Sequence, residues 1–391
     1  MVDNFDFEQL GLRKFVAPEL VLGIDARLLA ANYCKKLGGR KIFLITDEGI
    51  LNTSWFKQIE SELLNQEIDF HIFSSLSPNP RDYEVMEGAS EYHKNKCNLI
   101  LAIGGGSVID CAKGVGIVSS NHKHIRNYEG VDKIGKPMPP LICIPTTGGA
   151  SADVSQFAII NNFEGRYKMA IISKAVVPDA ALIDPFVLTT MSGFLTACTG
   201  MDTLSHAFEA FVSNASSPIS DLFALKSIEL ISENLLKSVT APGDVQVRGK
   251  VMLASLYAGL AFSNASLGCV HSLAHSLGGY LDLPHGECNA ILLPHVVRFN
   301  YSAAEARYQK IAEVLGLKKE HQKTENARDF ITDYLYKLNL SLGIAPGLSK
   351  RGVSSEIIPV LAEKAIKDPC NATNPRPPVQ NDLEEIYKDA M

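Results

Sequence analysis

"LILAIGGGSVIDCAKGVG", residues 99 to 116, decides how the first half of this chain folds. Five apolar residues run into three glycines and a serine, and a segment of mixed polarity follows. That order reads as a buried strand, a tight turn and a helix. Glycines let the backbone come close to a phosphate, and the helix N-terminus offers free N–H groups and the positive end of its dipole. The plainer reading is a turn that packing requires, since the pattern is not G-x-G-x-x-G and follows a later strand than the first.

Outward from this stretch the rhythm repeats. "KIFLITDEG" (41–49), "IDFHIFSSL" (68–76) and "PLICIPTT" (140–147) are short apolar runs that end in turn residues. "YKMAIIS" (167–173) and "AALIDP" (180–185) read as further strands, and "SWFKQIESELLNQ" (54–66) as an intervening helix. Strand, helix, strand in that order predicts a parallel sheet with helices on its faces. After about residue 187 the character changes. "SPISDLFALKSIELISENLLKSV" (217–239) repeats apolar residues at helical spacing, with Ser217 as N-cap and Pro218 as first helical residue. "VMLASLYAGLAFSNASL" (251–267) is apolar nearly all round, like a buried helix, and segments near 303–317, 326–342 and 354–367 also favour helix. The expected fold is α/β: a Rossmann-like dinucleotide-binding domain over 1–187, an all-helical domain over 188–391, and a site in the cleft between them.

Bulk properties narrow the partners. A formal net charge of −6 argues against nucleic acid or an anionic membrane as the main partner. No apolar run approaches the ~18 residues of a membrane span. The opening "MVDNFDFEQLG" is too acidic and polar for a secretion signal. Cysteines 34, 97, 111, 143, 198, 269, 288 and 370 form no C-x-x-C pair, so reduced, buried thiols in a cytoplasmic protein are the simplest reading.

Two clusters carry chemistry. Asp47, closing "FLITDEG", is placed either to bind a ribose 2′-hydroxyl, which would favour NAD over NADP, or to cap a helix. "PTTGGASADVSQF" (145–157) follows another strand end, and Thr146, Thr147 and Ser155 are expected to line the cofactor. In the second half, "LTACTGMDTLSHAFEAF" (195–211) sets Asp202 and His206 four apart on a helix, while Leu204, Phe208 and Phe211 serve the core. "GCVHSLAHSLGGYLDLPHGECNA" (268–290) adds His271 and His275, again four apart, and His285 in a Pro-His-Gly turn. Burying that many polar groups without a shared partner would cost a few kcal/mol each, and a divalent metal is the economical partner. Imidazole and carboxylate suit Fe(II), Zn(II), Co(II) or Mn(II), and spacing alone leaves open whether His271, His275 or both bind.

"GGGSVIDCAK", "TACTGMDTLSHAFEAF", "GCVHSLAHSLGG" and "LPHGECNA", in this order, resemble the iron-containing (group III) alcohol dehydrogenases, and the likeness runs to "DPCNATNPRPP" (368–378). The resemblance implies Asp202, His206, His271 and His285 as metal ligands, with Fe(II) as the metal and Zn(II) as an alternative. It implies His275 as the non-ligand histidine beside the nicotinamide. Gly105, Gly106 and Ser107 would hold the pyrophosphate, with Asp110 just inside the helix. Asp47, Asn79, Thr146, Thr147, Ser155, Phe157 and Lys168 would complete the NAD site. Phe262 and Cys370 would lie towards the substrate. Where the family usually has T-T-A-G-T this chain has Thr146-Thr147-Gly148-Gly149-Ala150, so one hydroxyl is missing; Asn98 stands where an acid often precedes the strand.

The activity implied is hydride transfer between a short primary alcohol, or its aldehyde, and NAD, in a homo-oligomer that in this family is commonly a dimer. His275 would pass the alcohol's proton to solvent. The rivals are a zinc polyol dehydrogenase resembling glycerol dehydrogenase, a lyase resembling dehydroquinate synthase, and a non-enzymatic NAD- or metal-sensing module. The lyase would need a Lys/Arg cluster for a phosphate-bearing substrate, and the metal segment offers almost none.

Overall fold

The computed structural model describes residues 12–317 and 326–391; the expectation about residues 1–11 lies outside them. Strand β4 (Leu99–Gly104) is buried along its whole length. It lies between β2 (Lys41–Ile45) and β6 (Leu141–Pro145) in a six-stranded sheet ordered β1-β9-β6-β4-β2-β3. The other strands are β1 (Glu19–Leu22), β3 (Asp69–Phe73) and β9 (Ala180–Ile183), and every pairing is parallel. Helices α1 (Ala30–Lys36), α2 (Glu48–Leu51), α3 (Ser54–Asn65), α4 (Asp82–Lys94) and α5 (Gly106–Asn121) connect them.

The unbroken apolar runs follow from burial on both faces. Ile42, Leu44, Leu99, Leu101 and Ile103 pack with Trp55, Phe56, Ile59 and Leu63 of α3. Phe43, Ile45, Ile100 and Ala102 point the other way, onto Val85 and Ala89 of α4 and Val108, Ala112 and Val115 of α5. Each Val, Leu, Ile or Phe side chain among them taken from water contributes roughly 1.5–3 kcal/mol.

A second, three-stranded sheet consists of β5 (Gly130–Val131), β8 (Tyr167–Ile172) and β7 (Phe157–Asn162). The stretch read as "YKMAIIS" is therefore a strand outside the main sheet, hairpin-paired antiparallel to β7 in the register Ile159↔Ala170. Strand β7 begins where the hydroxyl- and glycine-rich loop ends.

From Gly193 onward every regular element among the described residues is helical. These are α6 (Gly193–Val212), α7 (Pro218–Thr240), α8 (Val245–Ala265), α9 (Cys269–Leu281), α10 (His285–Asn300), α11 (Glu305–Val314), α12 (Ala327–Ser341), α13 (Ile358–Ala365) and α14 (Gln380–Asp389). Ser217 caps α7 by accepting from Ser220 N, with Pro218 first in the helix, as the sequence predicts. Helix α6 is buried nearly throughout, with Leu204, Phe208 and Phe211 in a core shared with Ile228, Ile231 and Leu235 of α7. Helix α8 lends Met252, Leu256 and Leu260 to the core under the sheet, so the two halves share packing. No single helix among the described residues is long and apolar enough to cross a membrane. All eight cysteines are buried and unpaired.

Candidate active site

The carboxyl ends of β2, β3, β4 and β6 open onto a cleft of about 1160 Å³ that reaches α6, α9 and α10. At its sheet end lies the turn between β4 and α5. None of Gly104, Gly105 or Gly106 has positive φ, so the turn's demand is for room. A Cβ on Gly106 would stand 2.5 Å from Ala150 Cβ, in the loop after β6. Gly105 caps α5, leaving its first N–H groups without a side-chain partner, facing the cleft as an anion site would.

The predicted cofactor residues gather around this turn, and Asp47, Asn79, Gly105, Gly106, Ser107, Asp110, Thr146, Thr147, Ser155, Phe157 and Lys168 all line the one cleft. Of the two alternatives that the sequence left open for Asp47, the structure shows the cap: its Oδ1 accepts from Ile50 N at 3.1 Å at the start of α2, and the residue borders the cleft. Asn79 donates to Asp282 Oδ1 at 2.7 Å, and the Ser107 hydroxyl donates to the Pro78 carbonyl. Burial raises the Asp110 carboxyl to about 7 despite Lys113, a hydrogen bond from Ile159 and Lys168. Lys113 is fully buried, and its ammonium donates to Ser155 O at 2.8 Å and Phe157 O at 2.6 Å, tying α5 to β7 and the loop before it.

At the helical end, Asp202 and His206 share one face of α6. His271 is in the first turn of α9, and His285 is the first residue of α10. The sequence placed His285 in a turn. It instead opens a helix after Pro284, and the residue after it is glycine because a Cβ at 286 would lie 2.1 Å from Cys198 O of α6. Asp202 Oδ1 lies 3.8 Å from His206 Nε2, 3.8 Å from His271 Nε2 and 3.7 Å from His285 Nε2. Ligand atoms of Asp202, His271 and His285 all lie within 4.8 Å of one another.

Burial lowers His206 to about 3 and His285 well below its ordinary value, so both rings are neutral, with lone pairs to give. Burial also opposes the charged form of His271, but Glu209 and Asp202 outweigh it and raise that ring to about 9. Burial would raise Asp202 too, yet His206, His285 and His271 hold its carboxyl well below the carboxylate range.

This donor set fits a divalent metal. The separations of 3.7–3.8 Å are too long for hydrogen bonds among the groups themselves and leave room for a cation bonded at about 2 Å. The buried His285 Nδ1 and Asn289 Oδ1 have no hydrogen-bond partner among the described residues.

Phe262 stacks on His206 at 4.3 Å between centroids and meets Phe157 edge-on at 5.6 Å, giving the space beside the cluster an apolar wall. His275 stacks on His285 at 5.2 Å, and its Nδ1 lies 2.8 Å from Asp368 Oδ2. Cys370 departs from its expected place: it is fully buried and absent from the cleft wall. It sits behind Asp368, whose Oδ1 accepts from Cys370 N at 2.8 Å.

Three residues of this cluster went unread in the sequence: Glu209, Asn289 and Asp368. A signal existed for the first, since 202, 206 and 209 share one helical face, and for Asn289, four residues after His285. Asp368 lies far along the chain, and only the fold brings it to His275.

The family described as "Iron-containing alcohol dehydrogenase" matches residues 17–185, and "Fe-containing alcohol dehydrogenase family, C-terminal" matches 196–391. The chain is 40% identical to alcohol dehydrogenase 4 of Schizosaccharomyces pombe over 364 residues, 93% of this chain and 85% of that one. It is 35% identical to the NAD-dependent methanol dehydrogenase of Bacillus methanolicus over 377 residues, 96% of this chain and 99% of the other. The crystal structure of a 1,3-propanediol oxidoreductase superposes with a TM-score of 0.92 at 34% identity, covering 97% of this chain and 100% of that one.

Proposed function

The chain belongs to the iron-containing alcohol dehydrogenases, NAD-linked oxidoreductases, and from that premise we propose that it interconverts short primary alcohols and their aldehydes at a metal held by Asp202, His206, His271 and His285. The observation that carries this reading is the convergence of three imidazole Nε2 atoms on Asp202 Oδ1 at one end of a cleft whose other end is lined by the glycine turn and the start of α5. The residues divide the work between a nucleotide-binding domain over 1–187 and a helical domain over 188–391.

When bound, Fe(II) supplies Lewis acidity that lowers the pKa of an alcohol, and NAD supplies the hydride acceptor. The protein's own groups do the rest. The glycine turn and the α5 N-terminus anchor the dinucleotide's phosphates, and Thr146, Thr147, Ser155 and Lys168 line its path towards the metal ligands. Asp368, an acceptor, receives a hydrogen bond from Nδ1 of His275, which leaves Nε2 to receive the proton that the alcohol gives up. Phe157, Phe262 and Leu267 exclude water and favour a short, uncharged chain.

The test is NADH formation from ethanol, butanol and 1,3-propanediol by metal-stripped protein reloaded anaerobically with Fe(II) or Zn(II). We expect Fe(II) to restore turnover and Zn(II) to restore it weakly. Restoration by Zn(II) alone would favour the polyol-dehydrogenase reading. Turnover only with a charged aldehyde would overturn the substrate class.

A further inference from the structure

Glu209 is outside the ligand set, yet it is 4% exposed and its carboxylate spends all three of its hydrogen bonds on one short segment. Oε2 accepts from Gly268 N at 2.9 Å and lies 2.6 Å from His271 Nδ1, while Oε1 accepts from Val270 N at 2.6 Å. That segment is the start of α9, whose N-cap, Gly268, has no side chain to satisfy the first N–H groups. Asn374 Oδ1 takes Cys269 N at 3.1 Å, and the Glu209 carboxylate from α6 takes Gly268 N and Val270 N on either side of it, where the helix dipole favours an acid.

The same carboxylate settles the His271 ring. An ionised carboxylate only accepts, so Nδ1 is the donor, and Nε2 is the only ring nitrogen left to offer a cation a lone pair. Nε2 is the atom 3.8 Å from Asp202 Oδ1. Asp202, His206 and Glu209 lie on one face of α6, so a single helix carries two groups of the cluster and the group that aims a third. His285 has no such support, since its buried Nδ1 is unpartnered.

We propose that Glu209 is the positioning residue of His271, fixing both the first turn of α9 and the tautomer that presents Nε2 to the cation. This rests on reading His271 as a metal ligand, and the test separates the two. Full-length protein is stripped of metal and titrated anaerobically with Co(II), a spectroscopic probe, and with Fe(II), against a competing chelator. Wild type is compared with Glu209→Gln, His271→Ala and the double variant, and NADH binding to the metal-free proteins reports whether the fold is kept.

Glu209→Gln is expected to weaken Co(II) binding about 10–100-fold, with NADH affinity held, and to add no more than about twofold when His271 is already alanine. Equal penalties in both backgrounds would make Glu209 a merely structural residue and overturn the proposal. So would wild-type affinity in Glu209→Gln while His271→Ala is weakened. If His271→Ala binds Co(II) as wild type does, the ligand reading itself fails and takes this one with it. Should Glu209→Gln not fold, Glu209→Asp carries the test: its carboxylate stands one methylene further from the ring. A shifted Co(II) spectrum with weaker binding supports positioning, and an unchanged spectrum and affinity overturn it.

Discussion

Asn289 Nδ2 lies 2.7 Å from Asp202 Oδ1, so a buried amide on α10 grips the carboxylate on α6 at the centre of the imidazole cluster. The same nitrogen is 3.2 Å from His271 Nε2 and 3.3 Å from His285 Nε2. The carboxylate accepts only, which fixes the amide's orientation and leaves its Oδ1 without a partner. Asn289→Asp would set a second carboxylate against the first in a dry site, where like charges strongly disfavour ionisation of both. We predict that the metal-stripped variant melts below metal-stripped wild type and that Fe(II) or Zn(II) raises its melting temperature by more than it raises wild type's. Thermal unfolding with and without metal decides this, and an equal metal-induced rise in both proteins would refute it.

Gly286 sits where α10 presses on α6, with Cys198 O 2.1 Å from the position of a Cβ. Backbone cannot retreat as a flexible side chain can, so Gly286→Ala must push the first turn of α10, and His285 with it, away from Asp202. Stability should fall by about 1–3 kcal/mol, as for other overpacked sites, and metal content after purification should fall with it. Gly243, with nothing within 4 Å of its Cβ position, is the control. Gly243→Ala should stay within about 0.5 kcal/mol. Denaturant unfolding and metal analysis of both variants check the pair, and a Gly286→Ala protein with wild-type metal content would be the contrary result.

The parts of this fold that the sequence reveals are those with a strong period. Strand β4 and helices α6 and α7 stand out because burial on two faces or on one stripe dictates their residue pattern. The hairpin partner β7 hid because Phe157-Ala158-Ile159-Ile160 continues a loop of Gly, Ser and Thr with no turn residue between them. His285 looked like a turn residue because proline and glycine flank it; the glycine answers a tertiary contact with Cys198, which no local pattern encodes. The five titratable groups around Asp202 Oδ1 and His285 were visible because histidine is scarce here. Their supports were less so: Asn289 is neutral, and Asp368 reaches His275 across more than ninety residues of chain.

Lys113 offers a test of the link between α5 and the loop before β7. Its ammonium donates to the carbonyls of Ser155 and Phe157, and its charge partly offsets burial at Asp110, where Lys168 also acts, and at Asp153. Those carboxyls are raised from 3.8 to about 7 and about 6, mainly by burial. A raised carboxyl weakens the fold only above the unfolded value, and its penalty is complete above the folded one. Removing the lysine raises both further. Lys113→Met should therefore cost about 3 kcal/mol or more at pH 8 and distinctly less at pH 5, with weaker NADH binding at either pH. Urea unfolding at the two pH values measures it. A penalty independent of pH would mean the lysine acts through the carbonyls alone.

Asp110 itself connects the pH of the solution to the cofactor. It stands in α5 one turn after Gly105, Gly106 and Ser107, raised by burial to about 7, and Lys113 and Lys168 are the cations that face it. A pyrophosphate held at that turn is an anion, so it binds best while Asp110 keeps its proton and raises the carboxyl further. By linkage, NADH affinity must fall as pH rises through 7, by at most about tenfold per pH unit for this one proton. Burial also lowers Lys168, so loss of its charge adds to the fall at higher pH. Asp110→Asn removes the first contribution and leaves the second. Fluorescence titration of NADH between pH 6 and 9 should therefore give a shallower profile for Asp110→Asn, with tighter binding than wild type at pH 8. Superimposable profiles would place the phosphates away from Asp110, and with them the anchoring role assigned to the glycine turn.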